Sequence, residues 1–127
     1  MKLAHARIVT NDVPGLTRFY RDLTGMTPAG DDLYVEFHGS ALTLAISSQR
    51  MIERHNAGAT VPAANRSVIL DFEVADVDQE RARLAGMVSD FVLEPTTQPW
   101  GNRAMLFRDP DGNLINMFAP VRTPVQA

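Results

Sequence analysis

Three histidines, fifteen carboxylates and no cysteine set the limits of the chemistry this chain can perform. Without thiols there is no disulfide, no thiolate metal ligand and no cysteine nucleophile. What remains is imidazole and carboxylate chemistry: metal ligation, proton transfer, or hydrogen bonding to a bound molecule. Several of these groups fall in one phase of strand-like alternation. His5 and Arg7 alternate with Ala4, Ala6 and Ile8, and Asp71 and Glu73 with Leu70, Phe72 and Val74. Thr43 lies between Leu42 and Leu44, and Asn116 between Ile115 and Met117. Residues two apart on a strand share a face, so a polar face bearing His5, Arg7, Thr43, Asp71, Glu73 and Asn116 is expected opposite an apolar one. Burying each of these unsatisfied would cost about 1–3 kcal/mol. The polar face is therefore expected to be a wet concave cleft, the kind of surface that takes ligands. On it His5 is a candidate general base or a hydrogen-bonding pocket residue, with a histidine satisfied by its strand neighbours as the plain alternative. Glu73 is the second candidate base, against a solvated strand end. Arg7 and Asp71 hold equivalent places in the two halves of the chain and are expected to form a buried ion pair, with substrate binding as the other reading.

The elements that must position these groups come in two copies. Residues 1–46 and 67–118 carry the same order of signals: a strand (Ala4–Thr10; Val68–Val74), an Asp-Val pair (Asp12-Val13; Asp76-Val77), a helix, a Gly-Met stop and three more strands. Leu16, Phe19, Tyr20 and Leu23 recur at helical spacing behind Asn11 or Asp12 as cap and Pro14 in the first turn. Val77, Leu84 and Ala85 make a thinner stripe behind Asp76. Gly25 and Gly86 are the expected left-handed caps. The remaining strands are expected near 27–29, 32–38 and 41–46, then 88–93, 103–108 and 113–118. Which face Tyr34, Glu36 and His38 occupy is left open by the alternation. The connection 47–66, with one helical turn at Gln49–His55, is either a lid or a linker. The expected organisation is one domain, 1–122, with a tail at 123–127.

Composition narrows the partners. A net charge of −3 and a pI near 5.5 argue against nucleic acid, which needs a basic surface. No apolar run is long enough to span a bilayer, and Met1-Lys2-Leu3-Ala4-His5 lacks the apolar core of a signal peptide. A cytoplasmic protein with a small-molecule ligand is the expectation.

Pro99-Trp100-Gly101-Asn102-Arg103 running into Asp109-Pro110-Asp111-Gly112-Asn113 and Leu114–Phe118 is strong hairpin chemistry, because Pro presets φ while Gly and Asn accept positive φ. With the doubled βαβββ order, Phe19-Tyr20 before Gly25-Met26, and the two Asp-Val openings, this hairpin resembles the vicinal oxygen chelate superfamily of glyoxalases, bleomycin-resistance proteins and extradiol dioxygenases. The resemblance runs from Leu3 to Phe118. It implies an α+β fold in which tandem βαβββ modules form a curved mixed sheet around a cleft, and a homodimer. Metalloenzymes of the superfamily hold their ion at positions that fall here on His5, Thr43, Ile69 and Asn116. Only the first keeps a ligand type, so no metal cofactor is expected. The resemblance implies a metal-independent binding protein of the bleomycin-resistance kind, contacting its ligand through His5, Thr43, Ile69, Trp100, Arg103, Asn116 and Phe118. The alternatives are a metal-free acid–base lyase or isomerase using His5 with Glu73 or Glu36, and a metal-dependent glyoxalase or dioxygenase. Trp100 is a stacking wall or a cap on the core; Arg103 meets an anionic ligand or makes a local salt bridge.

Overall fold

A computed structural model describes residues 1–121, so the expected tail at 123–127 and the end of the domain at 122 lie outside the described residues. The elements are β1 (His5–Thr10), α1 (Val13–Thr24), β2 (Ala29–Gly30), β3 (Tyr34–His38), β4 (Thr43–Ser48), α2 (Gln49–His55), β5 (Ile69–Glu73), α3 (Val77–Leu84), β6 (Phe91–Thr97), β7 (Asn102–Arg108) and β8 (Leu114–Pro120). The doubled βαβββ order is therefore present. Hydrogen bonding divides the expected mixed sheet into two four-stranded sheets, ordered β1-β4-β3-β2 and β5-β8-β7-β6. In each, the first and last strands of the module run parallel and the other pairs antiparallel. The first compact unit comprises Met1–Asn65 with Pro110–Gly112, and the second begins at Arg66.

In the first unit, the Asp12 carboxylate accepts a hydrogen bond from the Gly15 amide at 3.0 Å and so starts α1. Gly25, at φ 71°, ends it, a conformation in which any Cβ is strained. Between these caps Leu16, Tyr20 and Leu23 are buried on one stripe. They cover a sheet face on which register aligns Ala6, Leu44 and Phe37 in one row and Ile8, Ile46 and Val35 in the next. Phe37 and Ile46 are fully buried. The expected third apolar member, Leu42, departs from this. It is 40% exposed, because the Gly39 amide donates to the Leu42 carbonyl and closes a turn, so β4 begins only at Thr43. The short helix expected at Gln49–His55 is α2, capped by the Ser48 hydroxyl and anchored by the buried Ile52. Reciprocal Gln49–Thr60 hydrogen bonds tie the connection after it back to its start.

The second unit repeats the plan with a thinner helix. Asp76 caps α3 through the Gln79 amide, and only Val77 and Leu84 of the helix are buried. Ion pairs supplement that small apolar contact: Arg81 binds Glu94 on β6 while its guanidinium lies 3.7 Å over the Phe91 ring. The expectation of a left-handed Gly86 is not met. Gly86 has no positive φ; instead the chain turns through bonds from the Met87 and Val88 amides to the Leu84 carbonyl. That turn uses Val88, which is why β6 starts at Phe91 and not at 88. Pro95 falls within β6, an edge strand with shifted register, where a missing amide is tolerated. Gly112, at φ 84°, lets the β7–β8 turn close, with the Asn113 amide and side chain both donating to the buried Asp109 carboxylate.

Candidate functional site

The face of the first sheet opposite α1 concentrates the titratable groups. Register places His5, Thr43 and His38 in one row across the strands, Arg7, Ala45 and Glu36 in the next, and Val9, Ser47 and Tyr34 in a third. The open question about β3 is thereby answered. Tyr34, Glu36 and His38 share the face of His5 and Arg7, because Val35 and Phe37 are taken by the core. Ala45, between the two charged residues of the middle row, is fully buried.

Glu36 is the hub. Its Oε2 accepts from the Tyr34 hydroxyl at 2.7 Å and lies 3.2 Å from His5 Nε2. Its Oε1 lies 3.4 Å from His38 Nε2. The Tyr34 hydroxyl, followed by the charges of His38 and His5, holds the Glu36 carboxyl below its ordinary range, so it is ionised at neutral pH. An ionised carboxylate only accepts, so both imidazoles present Nε2–H to Glu36. The Nδ1 of His38 lies 3.4 Å from the Thr43 hydroxyl oxygen, within hydrogen-bond reach. Burial, then the bond to Glu36, pushes the Tyr34 phenol above its ordinary value. Side-chain exposures of 46% for His5, 25% for Glu36 and 62% for His38 leave the cluster open to a bound molecule. Arg7, also exposed, donates to the Asn56 side chain at the end of α2 at 3.4 Å.

His38 thus joins the same cluster as His5. Both imidazoles lean on one carboxylate, because antiparallel pairing of β3 with β4 and parallel pairing of β1 with β4 bring positions 38 and 5 to the same row. Alternation at 34–38 was the available signal; what it lacked was the phase relative to β1.

The remaining candidates belong to the second unit. Asp71 and Asn116 are register partners on β5 and β8, and the Asn116 amide donates to Asp71 at 2.9 Å. Ile69 is 48% exposed beside Leu114, and Glu73, also exposed, pairs with Phe118. Arg103 lies on the helix side of its sheet: it donates to both Asp78 oxygens, at 2.6 and 2.8 Å, and to the Thr97 hydroxyl. Trp100 is 73% exposed in the β6–β7 turn and so caps no core. Arg7 and Asp71, expected as a buried ion pair, lie in different units and are each described within their own. Both side chains are exposed, and each bonds an uncharged amide side chain of its own unit, Asn56 and Asn116.

The four positions that correspond to metal ligands in the superfamily offer an imidazole committed to Glu36, a hydroxyl committed to His38, an apolar side chain and an amide committed to Asp71. Divalent metals want several imidazole or anionic donors, and neither the two positions in the first unit nor the two in the second supply them. Among the described residues no group of three or more His, Asp or Glu side chains has the arrangement to hold a metal ion.

Comparison with known proteins agrees with this architecture. A Bacillus subtilis (strain 168) protein, YraH, itself uncharacterised, is 27% identical over 125 residues, spanning 93% of this chain and 98% of its own. The crystal structure of a glyoxalase/bleomycin resistance protein/dioxygenase from Nocardioides superposes with a TM-score of 0.80 at 21% identity, covering all of this chain and 88% of that one. A protein of unknown function from Agrobacterium tumefaciens C58 gives 0.79 at 26% identity over 95% of each chain. The model of one family matches residues 2–117, and the chain belongs to that family, the Glyoxalase/Bleomycin resistance protein/Dioxygenase superfamily.

Proposed function

We propose that this protein binds a small organic molecule on the polar face of its first sheet, without a catalytic metal. The observation that carries the reading is Glu36, a partly exposed carboxylate fixed by Tyr34, His5 and His38. Polar groups held in place by their neighbours lower the ordering cost of binding. A screen of small metabolites by thermal shift, followed by NMR of the imidazole signals, tests it. Ligands that stabilise the fold should move the His5 and His38 signals and leave His55, on α2, unmoved. A screen without any such ligand would overturn the reading. Elemental analysis after dialysis against Ni²⁺, Zn²⁺, Mn²⁺ and Fe²⁺ should find far less than one metal per chain. Retention of about one metal, lost in His5→Ala, would overturn the metal-free part.

A second reading is supported by one further observation. The carboxylate that grips His5 Nε2 leaves Nδ1 as the acceptor, the relation in which a carboxylate orients a catalytic imidazole. In that case the protein is an acid–base lyase or isomerase with His5 as base and Glu36 as the group that positions it. Chemical conversion of a bound ligand, abolished in His5→Gln while binding survives, separates the enzyme from the binding protein.

A further inference from the structure

We propose that α2 and the residues after it, 49–60, form a lid over the inner part of the first sheet's polar face, and that this lid opens without unfolding of the sheet. The inference rests on the binding reading above for what the lid guards. Exposure along the face is uneven. In the outermost row His5 and His38 are exposed, whereas Ala45 and Ser47, the central residues of the next two rows, are 0% and 1% exposed. Both lie on the side of β4 away from α1, so another element covers them. That element is α2. It packs against β4 and β1, and Ile52 is its buried side chain. Arg7, on the same face as Ala45 and Ser47, donates to Asn56 at the C-terminal cap of α2.

The cover is built to separate from the sheet. Gln49 and Thr60 bond each other twice, which ties the two ends of the segment into one body. The Asn56 and Gly58 amides both donate to the Ile52 carbonyl, so these backbone bonds are internal to the lid and survive its lifting. What fastens it to the face is the Ile52 side chain and the 3.4 Å bond from Arg7 to Asn56 at an exposed position. A segment with so little buried apolar surface opens at a fraction of the global stability. Closure also carries backbone strain. Ala57 and Ala63 stand at φ 58° and 56°, the left-handed region that a Cβ disfavours; the first lies within the lid and the second just past it, where the chain would swing.

Two rates test this together. The chain has no cysteine, so Ser47→Cys places a single thiol under the lid, and its alkylation by iodoacetamide reports opening alongside amide hydrogen exchange. In the unmodified protein the Asn56 and Gly58 amides should exchange about a hundred-fold or more faster than those of β4, and at a rate insensitive to low urea. The thiol should be alkylated through the same opening. Asn56→Ala should speed both rates by roughly two- to ten-fold, the loss of one exposed hydrogen bond. Arg7→Met should match it and the double substitution add nothing, since both remove one bond. Ala57→Gly, which relieves the strain, should slow both rates. Exchange in α2 and alkylation that follow urea as β4 does would show opening only by global unfolding and would overturn the inference. So would a thiol alkylated as fast as a free one, or rates unchanged by all three substitutions. Exchange in the unmodified protein decides alone should Ser47→Cys fail to fold. A lid that opens in a protein for which the metabolite screen finds no ligand removes the binding reading and leaves the lid. A ligand that moves His5 and His38 in a protein whose α2 opens only with the sheet removes the lid and leaves the binding reading.

Discussion

At the residue scale, the polar face works because one carboxylate serves three donors. Glu36 meets a phenol and two imidazoles, and its lowered pKa follows first from the Tyr34 hydroxyl. The consequence for stability has a definite sign. A carboxyl whose folded pKa lies below its ordinary 4.5 stabilises the fold above that pH and loses the contribution as pH falls through the folded value. Urea unfolding should show this acid loss in the unmodified protein and a shallower one in Glu36→Gln. Tyr34 provides a second readout. Its phenol is raised above 10.0, by burial first and by Glu36 second. Absorbance titration in a Tyr20→Phe background should therefore show tyrosinate forming above that value, and Glu36→Gln should remove part of the shift but not the part due to burial. Asp71 belongs to the same scale. Exposed and bonded to Asn116, it leaves no buried charge behind when removed, so Asp71→Ala should change stability by less than about 1 kcal/mol in chemical denaturation.

At the element scale, α1 and α3 carry unequal loads. The first is anchored by Leu16, Tyr20 and Leu23 between two caps, Asp12 and Gly25; the second buries only Val77 and Leu84 and relies on Arg81–Glu94 and Arg103–Asp78 to meet its sheet. Truncating Leu16 to Ala should cost about 2–5 kcal/mol, and Asp12→Ala about 0.5–2 kcal/mol, both read as shifts in the denaturation midpoint. Because exposed ion pairs are screened by salt, hydrogen exchange in α3 should accelerate at high salt while that in α1 stays constant.

At the scale of the whole molecule, we propose a homodimer. Within their own sheets β1 and β5 are edge strands, and Leu3, Val68 and Ile69 near them are exposed apolar side chains. Such edges are ordinarily paired or covered. Light scattering over a wide concentration range should give twice the 14.0 kDa chain mass; a stable mass of one chain would refute this.

The amino-acid order by itself determined the order of the elements and the Asp12, Asp76 and Gly25 caps, because helix and strand periods, Asp caps and the Asp-Pro-Asp-Gly-Asn turn are local chemistry that acts over a few residues. It also determined which face of β1, β4, β5 and β8 is polar, since alternation needs no knowledge of neighbours. The Gly86 and Leu42 expectations failed for a related reason: each was decided by a backbone hydrogen bond, from Val88 to Leu84 and from Gly39 to Leu42, that composition does not announce. Only the tertiary structure decided the site. Whether His38 shares Glu36 with His5 depends on strand order and on register across β4, and a slip of one residue would have turned Glu36 into the core and Phe37 onto the polar face. The commitment of Arg103 to Asp78 depends in the same way on which side of its sheet α3 packs. These are relations between segments distant in sequence, and long-range pairing is the physical information that a pattern read along one chain does not contain.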